Sequence, residues 1–186
     1  MLLTKTNYLL YRDCPQNAWV KVFEPKQYYL KQLSEFDKMI MEMGNEVDEL
    51  ARELFSGGIL IENRRDIKMT QELINKREKI IYQPVFCTDK FEAIADILVW
   101  NNEQKAYDVY EAKSTNSGDN KKRHEDDYKH DLAFQVNVLK KSSVPINKTY
   151  IIRLNAEYVR NGKLDIDELF VIEDFTDEVS GIADIV

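Results

Sequence analysis

The sequence predicts a mixed α/β fold in which a β-sheet is flanked by helices, and three observations carry that prediction. Phe36, Ile40, Met43, Val47, Leu50 and Leu54 recur at steps of three and four, which draws one apolar stripe down a long helix. Segments 80–88, 91–100 and 105–113 are rich in β-branched and aromatic residues and follow one another as strands, the last two separated by Asn101-Asn102. Of the 186 residues, 44% are hydrophobic and only 6 are Gly and 4 Pro, enough apolar side chain for one substantial core.

In order along the chain, residues 4–12 read as a short helix that ends before Cys14-Pro15, because proline disfavours helix at the residue preceding it. The chain turns again at Pro25. Ser34 and Asp37 have the spacing of a capping box at the start of the long helix 34–54, which stops at Ser56-Gly57-Gly58. A short strand follows at 58–61, and Asp66 caps a second helix running to Lys76. After the three strands, 114–123 reads as a polar loop, 124–141 as a long helix, and 148–154 and 169–172 as strands. The order helix, three strands, helix, strand outlines a layered α/β domain over residues 1–173. Residues 174–186 read as an acidic tail, or as the start of a truncated further region.

A net charge of −7 argues against a protein that coats nucleic acid through bulk basicity. It leaves room for a nucleic-acid enzyme, because a metal site is itself a carboxylate cluster. The run Lys121-Lys122-Arg123-His124 is a candidate phosphate-facing patch, beside its plainer reading as a solvated loop. Cys14 and Cys87 cannot build a structural zinc site alone and fit reduced thiols. The apolar runs fall far short of a membrane span, and the N-terminus lacks a signal-peptide layout, so a cytoplasmic location without membrane partners is expected.

The chemistry concentrates on two neighbouring strands. Asp96 interrupts the otherwise apolar run 93–100, where a carboxylate must be paired, hydrogen-bonded or metal-bound. Glu111 and Lys113 are two apart and share a strand face. Two carboxylates with waters and a substrate phosphate match the preferences of Mg²⁺, and a lysine beside them can orient or deprotonate a bound water. The plainer alternative is a weak surface ion pair, since Glu-x-Lys is a common tripeptide. On the long helix, Asp48 lies at the edge of the apolar stripe beside Gly44 and Ala51, as an auxiliary metal ligand or an ordinary boundary residue. Glu46 is a weaker candidate for the same role, and Glu49 points to solvent. On the later helix Gln135 falls within the stripe Tyr128, Leu132, Val136, Leu139, either to orient water or substrate or as a core amide satisfied by a backbone carbonyl. Asp131, one turn earlier, either supports Gln135 or is solvated.

With these residues in place, the chain resembles the RecB-like branch of the PD-(D/E)xK nucleases over most of residues 4–172, close to the exonucleases of CRISPR adaptation and a related uncharacterised bacterial family. The resemblance rests on Tyr8-Leu9-Leu10-Tyr11-Arg12-Asp13-Cys14-Pro15, Gly44-Asn45-Glu46-Val47-Asp48, Asp96, Glu111-Ala112-Lys113 and Asp131-Leu132-Ala133-Phe134-Gln135. It implies a restriction-endonuclease-like core, Mg²⁺ or Mn²⁺ held by Asp96, Glu111 and the Ala112 carbonyl, and hydrolysis of DNA, most simply as an exonuclease on single strands or duplex ends. Protein partners in a repair, phage or defence complex would accompany that role. The chain departs from the pattern at Asp48, where the family has a metal-binding histidine. It also lacks the C-terminal cysteines with which many relatives hold a [4Fe–4S] cluster, so no cluster is expected. Two rival functions remain: a nuclease-like fold serving as a binding or scaffolding module, and, more weakly, a carboxylate-pair hydrolase acting on sugars.

Overall fold

Thr4 and two prolines organise the N-terminal part. The computed structural model describes residues 2–29, 34–117 and 121–182, and of 121–124 the backbone alone; the side chains of the basic run 121–124 therefore lie outside the described residues. Strand β1 (Leu3–Thr4) leads directly into helix α1 (Lys5–Asp13), whose first turn is capped by the Thr4 hydroxyl accepting from the Asn7 amide. Helices α2 (Pro15–Phe23) and α3 (Pro25–Tyr28) follow, each with proline in its first turn. From the sequence both prolines are expected only to break helix or turn the chain. A proline's missing N–H costs nothing at the first helical position, so the same residue that ends one helix starts the next.

Helix α4 (Glu35–Glu53) begins on the expected capping box: the Asp37 amide donates to Ser34 Oγ at 3.1 Å and the Ser34 amide to Asp37 Oδ2 at 2.9 Å. Its apolar stripe is buried only in the C-terminal half, at Val47 and Ala51. Phe36, Ile40 and Met43 are exposed, contrary to the single buried face expected from periodicity. After β2 (Ile59–Leu60), Asp66 Oδ1 caps helix α5 (Ile67–Lys76) by accepting from the Met69 amide at 2.9 Å, and Arg77 closes that helix in the left-handed region.

The three long strands expected next are five. The first two divide into β3 (Ile80–Tyr82) and β4 (Val85–Cys87), then β5 (Phe91–Ile94) and β6 (Ile97–Asn101). Gln83, with φ 51°, and Pro84 cannot continue a ladder, and Ala95-Asp96 breaks opposite them: Ala95 N donates to Pro84 O at 3.2 Å and Gln83 N to Asp96 O at 2.9 Å. The breaks let the chain move between two sheets. One is three-stranded in the order β1-β5-β4. The other is six-stranded, β2-β3-β6-β7-β8-β9, built with β7 (Ala106–Asn116), β8 (Ile146–Leu154) and β9 (Phe170–Asp174). The β6–β7 pairing is antiparallel as expected, with Ile97 opposite Tyr110, and β7–β8 is parallel. β7 continues to Asn116, so residues 114–116 are strand rather than loop. The connection from β7 to β8 is helix α6 (Lys121–Lys141).

Alternate residues of the large sheet face two helices. Ile81, Leu98, Val109 and Ile151 join Leu132, Val136 and Leu139 of α6 in one core, while Ile80, Ile97, Ala112 and Ile152 join Val47 and Ala51 of α4 in another. The molecule is thus a mixed α/β fold with mixed sheets flanked by helices. A short helix α7 (Ile166–Leu169) precedes β9. A last one, α8 (Thr176–Ser180), lies within the segment read as an acidic tail, and buries Val179 beside Phe175 in the α6-side core. No helix among the described residues is long and apolar enough to cross a membrane.

Two contacts fix this frame. The ring of Tyr82 is held by its hydroxyl, which donates to the backbone carbonyl of Phe55, and a Cβ at Gly58 would come within 2.4 Å of that ring and 2.6 Å of Ile80 Cγ2. Gly58→Ala is therefore expected to destabilise the chain by about 1–3 kcal/mol, measured by urea denaturation. On the other side, α1 docks on α6 through the Tyr8 hydroxyl and His130 Nδ1, 2.9 Å apart, with Tyr8 stacked on Phe134 and Arg12 donating to Asp126. Burial, and then the Arg12 guanidinium, hold His130 below its ordinary pKa. A depressed pKa means stability present above the ordinary value of about 6.5 and lost as pH falls through the lower folded value. Wild type is accordingly expected to lose more melting temperature between pH 8 and pH 5 than His130→Ala does.

Candidate active site

The break in the second strand pair places the first acid. Asp96 lies in the bend between β5 and β6, not within a strand as its apolar neighbours suggest, because the chain changes sheets there. Extending the β6–β7 register by one residue sets it opposite Glu111, and its Oδ2 accepts from the Ala112 amide at 2.9 Å. No other hydrogen bond reaches the Asp96 carboxylate, or any the Asp48 carboxylate, among the described residues.

Glu111 and Lys113 share a face of β7 turned toward α6, and Lys113 Nζ donates to Glu111 Oε1 at 2.7 Å. Gln135, fully buried on α6, donates through Nε2 to Glu111 Oε2 at 2.8 Å and to Asp131 Oδ1 at 2.9 Å. Asp131 is buried, not solvated: its Oδ2 pairs with Lys113, and its Oδ1 stands 3.2 Å from a second lysine. That lysine is Lys5, whose ammonium also donates to Glu111 Oε1 at 2.7 Å. Sequence reasoning missed Lys5 because only the pairing of β1 with β5 brings the N-terminus here. One signal was readable: a cation in the first turn of a helix that has no acidic residue there opposes the helix dipole and needs a partner elsewhere.

Asp48 reaches the cluster from α4, which packs Val47 and Ala51 against Ala112 of β7. With Asp96, Lys5, Arg64 and Gln83 it lines a cleft of about 290 Å³. Glu46 and Glu49 are exposed on the same helix. Cys14 and Cys87 are free thiols.

The electrostatics separate the acids into two kinds. Burial, reinforced by Glu111, pushes Asp96 well above the usual carboxylate range, and the same two causes raise Asp48. Burial acts in the same direction on Glu111, but the Lys113 and Lys5 ammonium groups outweigh it and hold Glu111 well below that range. Burial alone would lower Lys113; Asp131 and Glu111 reverse this and keep it firmly protonated. With all four acids ionised, as when a cation is bound, Asp48, Asp96, Glu111 and Asp131 would set four negative charges against two positive on Lys5 and Lys113, leaving two negative charges around the cleft. Arg64 and Glu92 on its walls offset one another.

Among the described residues no three His, Cys, Asp or Glu side chains already converge at metal-ligand spacing; ammonium groups stand among the carboxylates. The donor set nonetheless suits a hard divalent cation. Among the described residues the oxygens left without a donor include carboxylate oxygens of Asp48 and Asp96, and the charge of the ionised acids would match.

No protein-family model matches the chain, and no curated protein matches it significantly.

Proposed function

We propose that the chain is a metal-dependent nuclease of the PD-(D/E)xK type, built on a restriction-endonuclease-like core and hydrolysing DNA phosphodiester bonds, most simply as an exonuclease in repair, phage or defence-related processing. The observation that carries this reading is one connected cluster: Asp96 on the Ala112 amide, with Glu111, Lys113 and Gln135 joined by hydrogen bonds beside it. Asp96, Glu111 and the Ala112 carbonyl, with Asp48 as an auxiliary ligand, would hold Mg²⁺ or Mn²⁺. When bound, such an ion supplies a Lewis acid and lowers the pKa of water.

The chain's own groups have distinct tasks in this reading. Lys113 is kept charged by Asp131 and Glu111, so it serves as a fixed cation that orients water and meets the charge developing on a phosphate, rather than as a proton acceptor. Gln135 commits its amide N–H groups to two carboxylates, and its buried Oε1 has no partner among the described residues. A water molecule donating to that oxygen would satisfy it and be aligned by it. Asp131 touches no reacting atom; it positions both Lys113 and Gln135.

The test is cleavage of linear, nicked and single-stranded DNA with Mn²⁺. Activity is expected in wild type and lost in Asp96→Ala and Lys113→Ala; metal-dependent cleavage that survives in both variants would sink the assignment. One observation favours a second reading, a nuclease-like module that binds without cutting. Both Glu111 oxygens are already occupied by protein donors. A folded chain that takes up no Mn²⁺ in calorimetry would support it.

A further inference from the structure

We propose that Lys5 is a resident counter-ion that a divalent cation must displace from Glu111, so that this N-terminal lysine sets the metal affinity of the site. The inference rests on the metal-dependent reading above. Glu111 Oε1 accepts from two ammonium groups at 2.7 Å, and Oε2 accepts from Gln135. A divalent ion approaching Oε1 meets two like charges at contact distance, where repulsion in a buried site is strong.

The two lysines are not equally held. Lys113 projects from β7 beside Glu111, pairs closely with Asp131 and lies over the Tyr128 ring. Lys5 comes from another element, on a helix whose first turn offers it no acid, and its second contact, to Asp131, is 3.2 Å. Its side chain also forms part of the cleft wall beside Asp48 and Asp96 and is one quarter exposed, so its ammonium can turn away from Glu111 toward solvent without unpacking the core. Lys5 is therefore the cation that leaves. Its charge stabilises the metal-free cluster by pairing with Glu111 and Asp131, and opposes the metal for the same reason.

Calorimetric titration of Mn²⁺ into wild type, Lys5→Met, Lys5→Gln and Lys5→Arg, with melting curves in chelator, tests this. Methionine keeps the length and apolar stem, and glutamine provides a second neutral variant should methionine fold poorly. Both are expected to bind Mn²⁺ at least about ten-fold more tightly than wild type. Both should also melt at lower temperature without metal, while Lys5→Arg stays near wild-type affinity. Neutral variants that bind no tighter than wild type, or an arginine variant that tightens as they do, overturn the proposal and leave the metal site standing. Absence of binding in wild type and the neutral variants overturns the metal site and the proposal together.

Discussion

Asp96→Asn is expected to lower Mn²⁺-dependent DNA cleavage by roughly 10³-fold, the scale set by losing one preorganised charge-stabilising group, while leaving the metal-free chain as stable as wild type or more so. The two effects have one cause. Asp96 is forced above the usual carboxylate range by burial and by Glu111, so its charged form is a strain on the metal-free fold. Asparagine removes that charge, keeps an oxygen to accept from the Ala112 amide, and fits the same bend between β5 and β6. What it cannot do is neutralise a cation. Activity and stability then move in opposite directions, as they do where a site is built at the expense of the fold. Single-turnover cleavage with a melting curve in chelator reads both; a variant that loses activity because it has lost stability would contradict the account.

Glu173→Ala is expected to cost roughly 3–5 kcal/mol in urea denaturation, the range for stranding one member of a buried pair. Arg153 on β8 is almost completely buried, lies over the rings of Tyr128 and Phe175, and pairs with Glu173 of the adjacent antiparallel strand, β9. Alanine at 173 leaves that guanidinium charged in a core where, among the described residues, Arg153 Nε already has no partner. The double variant Arg153→Met with Glu173→Leu removes both charges and is expected to recover most of the loss. Equal destabilisation by the single and double variants would show that packing rather than charge governs the site.

What could be read in the sequence was what local geometry dictates. Ser34 with Asp37, and Asp66, cap helices because their side chains meet amides three residues on, and no tertiary structure is needed to see it. Asn101 closes the β6–β7 hairpin by accepting from the Glu103 and Gln104 amides. Strand alternation alone puts Glu111 beside Lys113, and helical spacing alone puts Gln135 among Leu132, Val136 and Leu139. What escaped depended on contacts remote in sequence. Helical spacing allows Asp131 to support Gln135, as it does, but leaves solvation open because its other partner, Lys113, comes from β7. Lys5 reaches the site only through a two-residue strand paired with β5. Asp96 looked like a strand residue until the two sheets required a bend there. The front of α4 read as core because periodicity reports an apolar face, not whether anything covers it.

The most direct measurement is an anomalous difference map from a crystal soaked in Mn²⁺. A single peak coordinated by Asp96 and Glu111, with the Lys5 ammonium withdrawn from Glu111, is the expected result. A well-ordered soaked crystal in which no peak lies between those two carboxylates, with Lys5 and Lys113 both still on Glu111, would contradict a metal-dependent active site.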